Sequence, residues 1–147
     1  MQAALSDSDE ATAASTVRVA VVDDHESVRL GLKAAFIDEG YEFVLAAATV
    51  QELVDGLAGR EVDVVVLDLS LGDGSTVTDN VKRVQATGSA VLVHSIADRV
   101  ASVREALAAG AAGVIPKSSA TKTVLAAAAT VARGEVLNNL EWATAID

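Results

Sequence analysis

Short apolar runs recur along this chain and alternate with segments whose apolar residues lie three and four apart. The runs cover residues 17–22, 42–47, 62–67, 90–94 and 113–115. Their continuous, Val-rich character suits strands buried on both faces, as in a parallel sheet. The intervening segments carry helical stripes. Val28, Leu32, Ala35 and Phe36 share one face, and Val50, Leu53, Val54 and Leu57 share another. Val77, Val81 and Val84 line a third helix, Val100, Val103 and Leu107 a fourth, and Val124, Ala128 and Val131 a fifth that runs over residues 120–133. Amphipathic faces of this kind cover a sheet.

Each helical segment is followed by a glycine: Gly40, Gly59, Gly88, Gly110 and Gly134. Glycine just past a helix accepts the left-handed conformation that stops it. Regular strand–helix alternation without a long linker predicts one α/β domain: a doubly wound, five-stranded parallel sheet with five helices. Residues 17–134 form that domain. Residues 1–16 read as a disordered acidic tail, and 135–147 as a weakly patterned tail anchored by Trp142.

Composition narrows the role. The chain has 147 residues, 51% of them hydrophobic, which is ample for one core. Acidic residues number 21 against 11 basic ones, for a net charge of −10. That balance argues against this chain gripping nucleic acid or an anionic membrane by itself. Cysteine does not occur, so disulfides and thiolate metal sites are excluded. The N-terminal segment MQAALSDSDEATAAST has neither a basic start nor an apolar stretch of the secretory kind. A cytoplasmic location is the expectation, with no membrane partner.

Chemistry collects where the strands end. In open α/β sheets ligands bind beyond the carboxyl ends of the strands, at the point where strand order reverses. Here strand one ends in Asp23 and Asp24, strand three in Asp68, strand four in His94 and Ser95, and strand five in Pro116 and Lys117. Adjacent carboxylates repel and raise each other's pKa. With strands one and three side by side, the three carboxylates converge around a hard divalent cation, which makes the crowding tolerable.

Four motifs in order, VAVVDDHESVR, VDVVVLDLSLGDGS, AVLVHS and GVIPKS, resemble the signature of bacterial response-regulator receiver domains. The DDH opening and the GDGS loop are most similar to the NarL/LuxR type of transcriptional regulator. The resemblance covers residues 17–134 and implies a flavodoxin-like (CheY-like) sheet of order 2-1-3-4-5. It implies that Asp68 is the phosphoacceptor and that Asp23, Asp24, Asp68 and the Ser70 backbone carbonyl hold Mg²⁺ or Mn²⁺. Ser95 becomes the switch hydroxyl and Lys117 the cationic partner of the phosphoryl group. The implied donor is a sensor histidine kinase, with homodimerisation on phosphorylation. The domain would catalyse only its own phosphorylation and dephosphorylation, acting as a switch and not as an enzyme on another substrate. A C-terminal helix-turn-helix that binds DNA is also implied. Residues 135–147 are too few to form it, so the sequence reads as a receiver cut in its linker, or as a stand-alone one.

Two positions depart from the family. Val114 stands where an aromatic switch residue is common, so ring rotation coupled to Ser95 is ruled out. Pro116 precedes Lys117 instead of following it, so a proline-assisted cis bond after the lysine is ruled out.

Rival readings are weaker. GDGSTV after a strand suggests a dinucleotide loop, but Val77 replaces the third glycine and the loop follows the wrong strand. A haloacid-dehalogenase-type phosphatase needs a second aspartate two residues after the nucleophile, where Ser70 stands. A degenerate receiver that acts only through protein contacts is the remaining alternative, disfavoured because all five site positions are present. His25 reads as an exposed residue at a helix start, and His94 as a packed or hydrogen-bonded strand residue.

Overall fold

The computed structural model describes residues 16–96 and 100–137. In chain order the elements are β1 (Arg18–Val22), α1 (Glu26–Asp38), β2 (Glu42–Ala47), α2 (Val50–Leu57), β3 (Val64–Leu67), α3 (Val77–Ala86), β4 (Ala90–Ser95), α4 (Val100–Ala109), β5 (Gly113–Pro116) and α5 (Thr121–Ala132). The strands form one parallel sheet ordered β2-β1-β3-β4-β5. This is the flavodoxin-like order, with its reversal at β1 and β3.

Alternate residues of each central strand feed two separate cores, which is why the runs look uniformly apolar in the sequence. Ala20, Val22, Val65, Leu67, Val91, Val93 and Val114 pack under α2, α3 and α4, against Leu53, Val81, Val84 and Val103. Val19, Val21, Val64, Val66, Leu92 and Ile115 pack under α1 and α5, against Leu32, Phe36, Val124 and Val131. Among the described residues no helix is long and apolar enough to cross a membrane.

Differences from the sequence expectation lie at element ends. The third strand begins at Val64 and not at 62, although Val62 is itself buried. Asp63, just before it, holds the Arg18 backbone N–H at 2.8 Å and the Arg18 guanidinium at 3.2 Å. The fourth and fifth strands each extend one residue further and pair Ser95 with Pro116. The five glycines expected to stop helices all have positive φ. In α2 the left-handed turn starts one residue early, at Ala58 (φ 49°).

Packing continues past Gly134. The Leu137 N–H donates to the Ala112 carbonyl at 2.9 Å. Its side chain lies on Gly113, where an added Cβ would come within 2.5 Å of Leu137 Cδ1. The N-terminal tail through residue 15 and Trp142 lie outside the described residues.

Candidate functional site

The sheet fixes the site because Asp23, Asp68 and Lys117 each directly follow a paired strand residue and Ser95 is itself the last of β4. The Asp23 N–H donates to Ala47 O at 3.0 Å and the Asp68 N–H to Val22 O at 2.9 Å. Both carboxylates are therefore held from the backbone at the reversal point, and both are buried, at 1% and 3% exposure. The Lys117 N–H donates to Ser95 O at 2.8 Å, which ties the ends of β4 and β5 together.

Lys117 crosses to the carboxylates. Its Nζ lies 2.9 Å from Asp23 Oδ2 and 3.4 Å from Asp68 Oδ1. The Ser70 N–H also bonds the Asp68 carboxylate. Burial, followed by the charge of Asp23, pushes the Asp68 carboxyl above its ordinary value, while Lys117 and the Ser70 N–H pull it down. Asp68 Oδ2 is buried and has no hydrogen-bond partner among the described residues. A buried acceptor without a donor is costly unless a cation faces it. Asp23, Asp24, His25 and Asp68 each offer a ligand atom, and these atoms lie within 4.8 Å of one another. This donor set fits a divalent cation.

Of the residues proposed from sequence, Asp23, Asp24, Asp68 and Lys117 thus cluster, Ser70 joins through its N–H, and Ser95 is tied to Lys117 through the backbone. The Ser95 hydroxyl is buried and donates to Ile96 O at 3.4 Å, a long and weak bond. Val114 is buried in the core beneath α4, with no ring to offer.

His25 is the exposed helix-start residue expected from the sequence, the N-cap of α1, and its ring also reaches both neighbouring carboxylates, with Nδ1 3.0 Å from Asp23 Oδ1 and 3.0 Å from Asp24 Oδ1. A second participant had no place in the sequence reading. Arg29, one turn into α1, donates to the Asp23 backbone carbonyl at 2.8 Å. The basic residue six positions after Asp23 was the available signal.

The GDGS loop has a structural explanation. Asp73 Oδ1 accepts the Ser75 N–H at 3.0 Å and the Ser75 hydroxyl, and Asn80 donates to Ser75 Oγ at 2.9 Å. Thr76 then caps α3 by accepting the Asp79 N–H at 3.2 Å. Gly72, with φ 72°, passes close to the site, where a Cβ would stand 3.4 Å from Asp24 Oδ2. The loop turns the chain beside the carboxylates and starts a helix.

His94 packs against the α1–α5 side at 7% exposure. Burial first, and the Lys117 charge second, lower its pKa to about 4, so it is neutral at pH 7. Its Nδ1 has no hydrogen-bond partner among the described residues. It lines a cavity of about 200 Å³ together with Ser27, Leu32, Lys117 and Thr121.

Residues 19–129 match the family described as response regulator receiver domain. The transcriptional regulatory protein UhpA of Salmonella typhimurium is 34% identical over 121 residues, which cover 80% of this chain and 60% of UhpA. The nitrate/nitrite response regulator protein NarP of Escherichia coli is 31% identical over 124 residues, covering 82% of this chain and 57% of NarP. Among solved structures, a LuxR-family two-component response regulator from Aurantimonas superposes with a TM-score of 0.76 at 27% identity, over 90% of this chain and 96% of that one. The chain spans 60% or less of the length of these two curated relatives.

Proposed function

The chain belongs to the response regulator receiver domain family of two-component systems, in its NarL/LuxR branch, and on that premise we propose that Asp68 accepts a phosphoryl group from a sensor histidine kinase. The observation that carries this reading is the position of Asp68: buried, fixed by the sheet, and facing both Lys117 and two further carboxylates.

In this mechanism an Asp68 oxygen attacks the phosphorus of the donor's phosphohistidine. A P–O bond forms, the P–N bond breaks and the imidazole leaves. Asp23, Asp24, Asp68 and the Ser70 carbonyl would hold Mg²⁺, which when bound neutralises oxygens of the transferring group. Lys117 supplies the second positive charge at the same oxygens. Positioning and charge neutralisation are most of what phosphoryl transfer requires, and the residues present supply both.

Phosphorylation adds about one negative charge to the site. Ser95, whose bond to Ile96 is weak, can exchange it for a phosphoryl oxygen. The domain acts as a cytoplasmic switch that promotes its own phosphorylation and dephosphorylation. Its output would be DNA binding through a further region of the full-length protein, with dimerisation on phosphorylation.

Incubation with acetyl phosphate and Mg²⁺ tests the assignment. Intact-mass measurement should show one labile phosphoryl group, lost in Asp68→Asn and on chelation of the metal. Stable labelling of Ser70 or Ser75 would overturn it. An unlabelled wild-type protein would favour a degenerate receiver that works by protein contacts alone.

A further inference from the structure

His25 occupies the N-cap position of α1, yet its side chain makes no cap hydrogen bond. The ring turns toward the acidic cluster. Its backbone N–H donates to Asp23 Oδ1 at 2.9 Å, so the chain itself fixes where the imidazole stands. Nδ1 is 3.0 Å from one oxygen of Asp23 and 3.0 Å from one of Asp24.

That spacing has a meaning for coordination. Adjacent donors in an octahedral shell with bonds near 2.1 Å are separated by roughly 3.0 Å, the bond length times the square root of two. In the metal-free site the 3.0 Å contact of Nδ1 with Asp23 Oδ1 is a hydrogen bond, and a cation that takes the place of that proton finds Nδ1 and the two carboxylate oxygens already one octahedral edge apart. An independent observation points to a ligand in the same place: Asp68 Oδ2 is buried and without a hydrogen-bond partner among the described residues.

We propose that His25 Nδ1 is a direct ligand of the cation held by Asp23, Asp24 and Asp68, and that it biases the site toward first-row transition ions over Mg²⁺. The inference rests on the reading of this cluster as the cation site. Mg²⁺ is a hard ion that favours oxygen and water. Imidazole nitrogen binds Ni²⁺, Zn²⁺ and their neighbours far better than Mg²⁺, in the Irving–Williams order. A set of three carboxylates alone discriminates little between Mg²⁺ and Mn²⁺, whereas one added nitrogen changes the ranking. In the loaded state the ring carries its proton on Nε2 and presents the Nδ1 lone pair to the ion.

Calorimetric titration of wild type, His25→Gln and Asp68→Asn with Mg²⁺, Mn²⁺ and Ni²⁺ tests this. The His25 side chain is 62% exposed, so its loss leaves the core intact. His25→Ser, which supplies a capping hydroxyl, serves as a second variant should the Gln protein fail to fold. Ni²⁺ should bind wild type more tightly than Mg²⁺, and His25→Gln should weaken Ni²⁺ on the order of tenfold while leaving Mg²⁺ within about twofold. Electron spin-echo modulation of the Mn²⁺-loaded protein should show ¹⁴N coupling in wild type and lose it in His25→Gln. Equal Ni²⁺ affinity in wild type and His25→Gln, or no ¹⁴N coupling, overturns the proposal and leaves the cation site standing. Ni²⁺ binding unchanged in Asp68→Asn also overturns it, by placing the nitrogen site elsewhere. No uptake of any of the three ions by wild type removes the cation site itself, and the proposal with it.

Discussion

Lys117 Nζ lies 2.9 Å from Asp23 Oδ2, and the pair joins the end of β5 to the end of β1 across the two intervening strands, β3 and β4. Lys117 is nearer to Asp23 than to Asp68, at 3.4 Å. The ammonium therefore compensates two buried carboxylates at once. Without a cation it is the principal positive charge in reach of them, so its loss leaves like charges facing each other in the protein interior.

Lys117→Ala should cost about 3 kcal/mol of folding stability without Mg²⁺, the usual scale for removing one partner of a buried ion pair. Saturating Mg²⁺ should restore part of the loss, because the ion binds only the folded site. Urea denaturation with and without Mg²⁺ measures both numbers. An unchanged midpoint in metal-free buffer would show that the lysine does not support the carboxylates.

Asp68→Asn should act in the opposite direction. Its carboxyl is pushed above the ordinary value by burial and by Asp23. Between its unfolded and folded pKa the native state binds more protons than the unfolded chain, so this group's contribution to stability falls as pH rises through that window. Removing the charge should therefore raise metal-free stability at pH 7 by about 1 kcal/mol, with the gain shrinking as Mg²⁺ is added. The matching change at Asp23 should not stabilise, because Asp23 makes the shorter contact with Lys117 and accepts the His25 N–H. Thermal melts of both variants separate the two cases.

Much of this arrangement was legible in the sequence. Strand runs buried on both faces give a continuous apolar signal, and the site residues stand directly after them, so placing the strands placed Asp23, Asp68 and Lys117. The His25 ring and the Arg29 guanidinium were not legible. His25 is the N-cap of α1 and Arg29 lies one turn into it, where polar residues are ordinary, and their roles depend on side-chain direction that periodicity does not encode. Leu137 was missed for a similar reason: two leucines in the short segment EVLNNLEWATAID give no clear pattern, and its partner, Gly113, is visible only as missing bulk. The dinucleotide reading of the GDGS loop failed already on Val77, and the bond from the Ser75 N–H to Asp73 gives the loop a local structural role.

Switching should proceed without an aromatic rotor. Val114 is buried and pairs with Val93, so it transmits displacement through packing and not through rotation. Fluoroberyllate binding should shift a pre-existing equilibrium of α4, β5 and the start of α5, for which a gap of a few kcal/mol suffices. Amide chemical shifts should change most on those elements. Changes restricted to residues that touch Asp68 would show that no wider switch exists.

His94 should make the fold acid-sensitive in a defined window. Its folded pKa is about 4, against an ordinary value of 6.5, because burial and then Lys117 oppose a charge there. Between these values the unfolded chain binds the proton and the native state does not. Stability is therefore complete above about pH 6.5 and declines as pH falls toward 4, by at most roughly 3 kcal/mol. Other groups add to any measured slope, so the comparison is with His94→Phe, which fills the same strand position without a titrating ring. Stability measured by urea denaturation from pH 7.5 to 4.5 should fall less steeply in His94→Phe than in wild type, with the two curves diverging below pH 6.5. Parallel curves across that range would mean that His94 is accessible to water and titrates normally.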